Sequence, residues 1–120
     1  MSELTPVQKA AGDHALIEVH ISMPEAEAAR AMATELVRTQ VAACVQILGP
    51  MASIYTWQGE PQQSTEWLLL VKSTAERFEE LVEVVVDNHS YDTPEIVAVP
   101  VTHALGTYGA WVRDSVAADV

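Results

Sequence analysis

The sequence contains a single cysteine, Cys44, among 120 residues. No intrachain disulfide can form, so the class of small disulfide-held scaffolds is excluded. Glycine is also sparse, with five residues, and no GxxxxGK[ST] loop, CxxC pair or HExxH segment occurs. These absences argue against the familiar nucleotide-binding loops and the common zinc motifs.

Basic residues are few as well. Six Lys and Arg residues face seventeen Asp and Glu residues, which gives a formal net charge of -11. Such a chain repels phosphate backbones and anionic lipids, so we expect neither nucleic acid nor a membrane as partner. No stretch approaches 18 apolar residues, and no apolar segment follows a basic N-terminus, so we expect a cytoplasmic protein. Hydrophobic residues make up 49% of the chain, enough for one core.

The N-terminal half predicts a flexible tail, residues 1–13, followed by a single domain, residues 14–120. Residues 14–22 alternate apolar and polar side chains, as a strand does. A capping box from Ser22 to Glu25 predicts a helix that continues to about Gln40. Two β-rich segments, residues 43–57 and 64–73, follow. They predict a long hairpin with a kink or bulge at Gly49–Pro50 and a turn over residues 58–63.

The C-terminal half predicts a helix, a strand and a second helix. A second capping box, from Ser73 to Glu76, predicts a helix that ends near His89. Residues 95–102 predict a fourth strand, and residues 107–116 predict a short closing helix. The order β-α-β-β-α-β-α is that of an α+β, ferredoxin-like domain, with two helices on one face of an antiparallel four-stranded sheet.

The central hairpin carries more apolar surface than two helices can cover, from Ile54 and Trp57 to Trp67 and the run Leu68–Leu70. Uncovered sheet edges and faces of this kind are typical of proteins that associate. We therefore expect self-association through the sheet edges.

The segment "NHSYDTPE" concentrates the chemistry-bearing residues. His89 with a carboxylate such as Glu95 can bind Zn or Cu, and His89 beside Tyr91 can move protons. The structural alternative is a helix-to-strand turn in which His89 caps the helix and Tyr91 packs. The spacing alone leaves these alternatives open.

Two other features carry weaker hypotheses. Cys44, in "VAACV", is either a soft metal ligand or nucleophile or a buried small hydrophobe. Trp57, Gly59 and Lys72 lie on the hairpin, and in an oligomer they and the His89 turn could line a pocket between subunits. No nucleophile with a paired base and no cofactor motif is recognisable, so we do not expect an enzyme.

Four ordered blocks, "VAACVQILGPMASIYTWQGE", "EWLLLVKST", "HSYDTPEIVAVPVTH" and "YGAWVRDSV", resemble the CutA family of divalent-cation tolerance proteins. The resemblance implies a ferredoxin-like subunit in a homotrimer that binds copper and other divalent cations. The recurrent positions of that family fall on Cys44, Trp57, Gly59, Lys72, His89, Tyr91, Pro94 and Glu95. The chain departs from the family pattern at Ser90, where Pro is usual, at Thr56 and Gln58, where basic residues are frequent, and at Ile21 and Val84, where some members carry cysteines.

The main hypothesis is therefore a trimeric protein that binds a divalent metal ion, Cu²⁺ or Zn²⁺. The predicted metal ligands are His89, Glu95 and Cys44, and the predicted residues of the intersubunit cleft are Trp57, Lys72 and Tyr91. No organic cofactor is expected. The alternatives are a signalling or scaffold trimer whose clefts bind a small metabolite or partner protein, and an enzyme that uses His89 or Tyr91 as acid or base.

Overall fold

A computed structural model describes residues 14–117. The predicted N-terminal tail, residues 1–13, lies outside the described residues. Within the described range, none of the helices has the length and apolar character needed to cross a membrane.

The described chain forms four strands and three α-helices in the predicted order. The elements are β1 (Leu16–Met23), α1 (Ala26–Arg38), β2 (Cys44–Trp57), β3 (Glu60–Thr74), a 3₁₀ turn (Ala75–Arg77), α2 (Phe78–Asn88), β4 (Ile96–Pro100) and α3 (Gly106–Val116). All strand pairs are antiparallel, and the sheet order is β2-β3-β1-β4. The predicted α+β fold with an antiparallel four-stranded sheet is confirmed.

The main core lies between one face of the sheet and helices α1 and α2. Val19 and Ile21 of β1 and Leu69 and Val71 of β3 are fully buried on that face. The helices contribute the buried residues Ala29, Met32, Leu36, Leu81 and Val85. Because burying an aliphatic side chain stabilises a fold by about 1.5–3 kcal/mol, this layer holds β1 and β3 firmly in register.

The opposite face of the sheet is covered at one end. There α3 places Val112 and Val116 against Leu16 and Ala43. Further along, the part of the chain that the structure describes leaves this face uncovered, and Val97 and Val99 of β4 are 47% and 40% exposed. Exposed apolar side chains on an uncovered sheet face are typical of an interface.

The strands β2 and β3 continue beyond the rest of the sheet as a two-stranded arm, residues 51–66. The pairing of β1 with β3 ends at Met23 and Trp67, whereas β2 and β3 stay paired as far as Trp57 and Glu60. The bulge predicted at Gly49–Pro50 is confirmed by a shift of register between Leu48 and Met51. Gly49 is required at this joint because an added Cβ would lie 2.3 Å from Cδ1 of Trp67.

The turn predicted over residues 58–63 is wrong in length. The chain reverses in two residues, Gln58 and Gly59, whose φ angles are 53° and 80°, and β3 begins at Glu60. Two positive φ angles are typical of the tight turn that matches the twist of a hairpin. Pro61 is tolerated in β3 because the arm is a two-stranded edge.

Both predicted capping boxes are also wrong, because no side-chain cap hydrogen bond forms at the start of α1 or of the 3₁₀ turn. Ser22 is a buried residue of β1. The hydroxyl of Ser73 instead donates to the carbonyl of Val41 at 2.7 Å. Each serine is therefore used by the sheet and its connections and not by the helix that follows.

Candidate functional site

The candidate site is built on the turn segment, residues 89–95, which connects α2 to β4. His89 ends α2 with an extended backbone conformation, φ -99° and ψ 142°. Its Nε2 lies 2.8 Å from the carbonyl oxygen of Ser22, and its Nδ1 accepts a hydrogen bond from the backbone N–H of Tyr91 at 3.1 Å. Because a carbonyl can only accept, these partners assign the proton to Nε2. The ring thereby ties the turn segment to β1.

His89 has therefore no uncommitted lone pair in this conformation. Nε2 carries the proton that goes to Ser22, and the lone pair of Nδ1 receives the Tyr91 N–H. A metal ion binds a neutral imidazole through a ring lone pair. Metal ligation at Nδ1 would require the hydrogen bond from Tyr91 to break first.

Tyr91 is held in turn by Glu66 of β3. Its phenol donates to Oε2 of Glu66 at 2.9 Å, and its ring centroid lies 4.8 Å from that of His89. Burial of the phenol and its bond to the Glu66 carboxylate raise the pKa of Tyr91 to about 12. The phenol is therefore neutral near neutral pH, which disfavours Tyr91 as a general base.

Tyr91 borders a groove of about 880 Å³ between the arm and the turn segment, which we call the arm groove. Alternate residues of the arm share one face, so Tyr55 and Trp57 lie on the same side of β2 as Ser53. The residues lining the groove include the aromatic side chains of Tyr55, Trp57 and Tyr91, the hydroxyls of Ser22, Ser53, Ser64, Ser90 and Thr93, and the carboxylates of Glu66, Asp92 and Glu95. Among the described residues that line it, there is no Lys, Arg or His.

Lys72 and Cys44 lie elsewhere, at the other end of β1. Lys72 Nζ lies 3.2 Å from Oε1 of Glu18 and donates to Oε1 of Gln46 at 3.2 Å, while His20 Nε2 lies 2.7 Å from Oε2 of Glu18. We call these four residues the Glu18 cluster. The hydrogen bond from His20 lowers the pKa of Glu18; burial opposes that shift, and Lys72 adds to it.

Cys44 adjoins this cluster because its register partner is Lys72. Its Sγ lies 3.9 Å from the phenol oxygen of Tyr108 in α3. Burial of the phenol, followed by its hydrogen bond with Cys44, raises the pKa of Tyr108. The thiol is half-buried and faces α3.

The structure thus brings together part of the predicted site. Glu95, Trp57 and Tyr91 line one groove, and His89 orders its wall. Lys72 is the register partner of both Glu18 in β1 and Cys44 in β2. Glu18 lies four residues before Ser22, whose carbonyl binds His89. Four residues of strand span roughly 13 Å, so Cys44 is not placed to share a metal ion with His89 and Glu95 in one chain.

The described residues do not form a complete metal site on their own. Between residues 14 and 117, no group of three or more His, Cys, Asp or Glu side chains is positioned to hold a metal ion. The arm groove supplies carboxylate oxygens, which suit divalent cations, but one chain does not bring three donors together. Any metal ion bound here must take further ligands from water or from a second subunit.

Glu66 is the groove carboxylate that the sequence did not single out. Glu66 is 8% exposed, yet it stands in the otherwise apolar stretch "EWLLLV". A buried carboxylate needs a donor, and this one receives the Tyr91 phenol. The feature of the sequence that could have identified Glu66 is its position as the one charged residue beside this apolar run.

Over nearly all of its described length, the chain is similar to proteins of one family. The family model described as CutA1 divalent ion tolerance protein matches residues 17–115. The chain is 44% identical over 97 residues to the divalent-cation tolerance protein CutA of Thermus thermophilus, a match that covers 81% of this chain and 94% of that protein. It is 37% identical over 99 residues to the chloroplastic CutA protein of Arabidopsis thaliana; this match covers 82% of the chain but only 54% of the plant protein's length.

The fold is similar to solved structures of the same kind. The crystal structure of CutA1 from Oryza sativa superposes with a TM-score of 0.85 at 32% sequence identity. That superposition covers 88% of this chain and 96% of the rice chain.

Proposed function

The chain belongs to the family of CutA1 divalent ion tolerance proteins, and we propose that it acts in divalent-cation tolerance as a cytoplasmic homotrimer that binds the cation in its arm groove. The observation that carries this proposal is the charge of the groove. Three carboxylates, those of Glu66, Asp92 and Glu95, line it with no cationic side chain among the described lining residues. Such a groove attracts cations and repels anions.

We propose Glu95 and Asp92 as the first ligands of the cation. His89 would contribute Nδ1, which in this conformation receives the Tyr91 N–H, and because these groups do not converge within the described part of one chain, the remaining ligands would come from water or a second subunit. A combination of imidazole and carboxylate suits Zn²⁺ or Cu²⁺. Cys44 is not part of this site, because it lies against α3 at the other end of β1. The proposed role is binding and not catalysis.

A trimer supports this site because it supplies donors that one chain does not. The arm extends past the last pair of β1 and β3, so its strands pair only with each other among the described residues. Ile54 and Trp57 on the arm and Leu48 beside it are 73%, 63% and 53% exposed. Strand edges and apolar surface of this kind are usually covered by association, and the family resemblance implies that the assembly has three subunits.

The assembly is tested by sedimentation equilibrium of the untagged protein at micromolar concentration. We expect a mass three times that of one chain. Replacing Ile54 by Asp introduces a charge into the exposed apolar surface of the arm, and we expect it to lower the mass. A single-chain mass for the unchanged protein would refute the trimer.

The metal site is tested by calorimetric titration of Zn²⁺ and Cu²⁺ into the metal-free protein. We expect saturable binding near one ion per chain, and a loss of affinity of about tenfold in Glu95→Gln, which removes a ligand charge but leaves the His89 hydrogen bonds in place. Glu79→Gln, on the exposed face of α2, is the matched control. Equal affinities in Glu95→Gln, Glu79→Gln and the unchanged protein would contradict the proposed ligands.

A further inference from the structure

We infer that the assembly of the subunits contains a pH switch, in which protonation of His20 on the uncovered face of the sheet weakens the association of the chains in mild acid. Because the switch needs a subunit interface, it rests on the proposed homotrimer and adds to it a condition under which the trimer comes apart. Its residues lie outside the arm groove, so the metal site and the switch can fail separately.

The uncovered face of the sheet, opposite α1 and α2 and beyond the part that α3 covers, has apolar margins; we call it the open face. Val97 and Val99 of β4 are 47% and 40% exposed at one margin, and Leu48 of β2 is 53% exposed at the other. His20 and Glu18 of β1 lie between them, because Val97 and Val99 are directly opposite these two residues in the sheet. Leu48 also lies beside the arm, so the open face is continuous with the surface that the proposed trimer covers.

A second copy of the chain is the partner that suits this face. Each chain has a net charge of -11, so two copies repel each other. On the open face, however, Glu18 is the register partner of Lys72, and their charged groups are 3.2 Å apart. The residues at the same level in β2 and β4 are Cys44 and Val99, which add no acidic or basic side chain. An apolar face whose charges cancel is a surface that two like-charged chains can bring together.

The charge balance of the open face depends on the protonation state of His20. Its Nε2 lies 2.7 Å from Oε2 of Glu18, and because a carboxylate only accepts, this nitrogen carries a proton. The other oxygen of Glu18, Oε1, lies 3.2 Å from Nζ of Lys72. With a neutral imidazole, the charges of Glu18 and Lys72 cancel. An imidazolium adds a second positive charge, which the single carboxylate does not compensate.

A closed interface therefore favours the neutral ring. The added proton goes to Nδ1, and the residues beside the ring in register, Leu70 and Val97, offer no side-chain acceptor for it. Burying an uncompensated charge or an unpaired donor costs free energy. By linkage, association must weaken as the pH falls through the range in which histidine gains a proton, about pH 8 to 5.

The other titratable groups around His20 do not change charge in that range. They are Glu18 on β1, Lys72 on β3, Cys44 on β2 and Tyr108 on α3, while β4 contributes valines at this level. Thiols, phenols and ammonium groups ionise mostly above about pH 8. The hydrogen bond from His20 lowers the pKa of Glu18, so this carboxylate stays charged in mild acid.

The test is sedimentation velocity of the metal-free, full-length protein at about pH 7.5 and about pH 5.5, from nanomolar to micromolar concentration. We expect a trimer at the higher pH and an apparent association constant about tenfold or more lower at the lower pH, the factor that corresponds to one pKa unit. The overall charge acts in the opposite direction, because acid reduces the net charge of -11 and with it the repulsion between chains.

Two substitutions fix the charge at position 20. His20→Gln keeps an N–H donor for Glu18 but gains no proton, so its association should not weaken in acid. His20→Lys carries the positive charge permanently and should associate weakly at both pH values. His103→Gln, at an exposed position after β4, is the matched control and should respond to pH as the unchanged protein does.

The outcomes separate the switch from the proposed assembly. A trimer with the same association constant at both pH values, or the same acid response in His20→Gln as in the unchanged protein, would overturn the switch and leave the homotrimer standing. A single-chain mass at the higher pH would refute both. Circular dichroism shows whether His20→Gln folds; if it does not, His20→Lys decides, and association as tight as that of the unchanged protein at the higher pH would overturn the switch.

Discussion

The two ends of β1 carry acidic residues in opposite situations. At one end, Glu18 lies between His20 and Lys72, 2.7 Å and 3.2 Å from their nitrogens. At the other end, beside Ser22, Asp92 and Glu95 line a groove that has no cation among its described lining residues. An acid that has its own hydrogen-bond donors and a lysine beside it is already compensated, whereas an acid without them is available to a ligand.

The pKa shifts follow the same division. At the Glu18 end, the hydrogen bond from His20 and the charge of Lys72 lower the pKa of a carboxyl group, which favours its charged form. At the groove end, burial and the Glu66 carboxylate raise the pKa of Tyr91 to about 12, which favours its neutral form. At one end of β1 the carboxylate charge is thus compensated by neighbouring groups, whereas at the other end an excess of negative charge remains.

The largest effect is expected at the joint between the sheet and the arm. Gly49→Ala should lower the free energy of unfolding by about 1–3 kcal/mol, the usual cost of overpacking. The cause is the indole of Trp67, whose Cδ1 would lie 2.3 Å from the new Cβ. Chemical denaturation measures the change.

Gly59→Ala at the arm tip is the control for that substitution. Nothing lies within 4 Å of a Cβ at Gly59, but its φ is +80°, so we expect a cost of about 1 kcal/mol from the backbone alone. If Gly49→Ala were no more destabilising than Gly59→Ala, the Trp67 indole would be able to move away from the added Cβ, and the joint would not be rigidly packed.

The next effect concerns the tie between the turn segment and β1. His89→Ala removes the hydrogen bonds to Ser22 and from Tyr91, so we expect a loss of about 2 kcal/mol at roughly 1 kcal/mol for each bond. Hydrogen exchange at the Tyr91 amide should also become faster. His103→Ala, at an exposed position, should leave both stability and exchange unchanged. Slow exchange in His89→Ala would mean that the turn segment is ordered without the imidazole.

A smaller effect is expected for Tyr91→Phe, which leaves the buried Glu66 without its phenol donor and should cost about 1 kcal/mol. The pH dependence has a definite sign. Because the folded pKa of Tyr91 is raised from 10.0 to about 12, its contribution is complete below pH 10 and is lost as the pH rises toward 12.

Alkaline unfolding curves of the two proteins check this expectation. The stability of the unchanged protein should fall more steeply between pH 10 and 12 than that of Tyr91→Phe. Parallel curves over that range would show that Glu66 does not stabilise the neutral phenol.

The smallest effect is expected in the Glu18 cluster. Lys72→Met should raise the pKa of Glu18 toward its ordinary value and cost less than about 1 kcal/mol, as is usual for partly exposed ion pairs. The folded pKa of Glu18 is lowered, so its contribution is present at neutral pH and is lost as the pH falls through that pKa. The difference between the two proteins should therefore shrink in acid.

A carboxyl titration by NMR measures the Glu18 pKa directly. Arg30→Met is the control, since Arg30 pairs with Glu27 on the exposed surface of α1 and does not touch Glu18. An unchanged Glu18 pKa in Lys72→Met would mean that His20 alone compensates the carboxylate.

Element type and order could be predicted from the sequence because they depend on local periodicity. The sequence places apolar residues on one face of each element, by alternation in Ile17, Val19 and Ile21 and by helical spacing in Met32 and Leu36. In the structure these residues lie in one core. The bulge at Gly49–Pro50 was predictable because Gly and Pro inside a strand often mark a bulge.

The errors arose where a residue had two possible partners. Ser22 and Ser73 each stand three residues before a Glu, a pattern that favours a helix cap, but each is placed by the sheet instead. The predicted site residues stay predictions. Within one chain, Trp57, Tyr91 and Glu95 line the arm groove and Cys44 and Lys72 lie apart from it, while Glu66 was not singled out from the sequence.

By itself, then, the sequence determined the elements, their order and the excess of negative charge, all of which follow from residues close together in the chain or from composition. The pairing of Tyr91 with Glu66, the anchoring of His89 on Ser22 and the packing of Trp67 over Gly49 join residues 18 to 67 positions apart. Contacts at such separations are set by the register of β1, β3 and β2 and by the length of the turn segment. They exist only once the sheet has formed, because a shift of one residue in the register of β3 would turn Glu66 and Trp67 to the opposite faces.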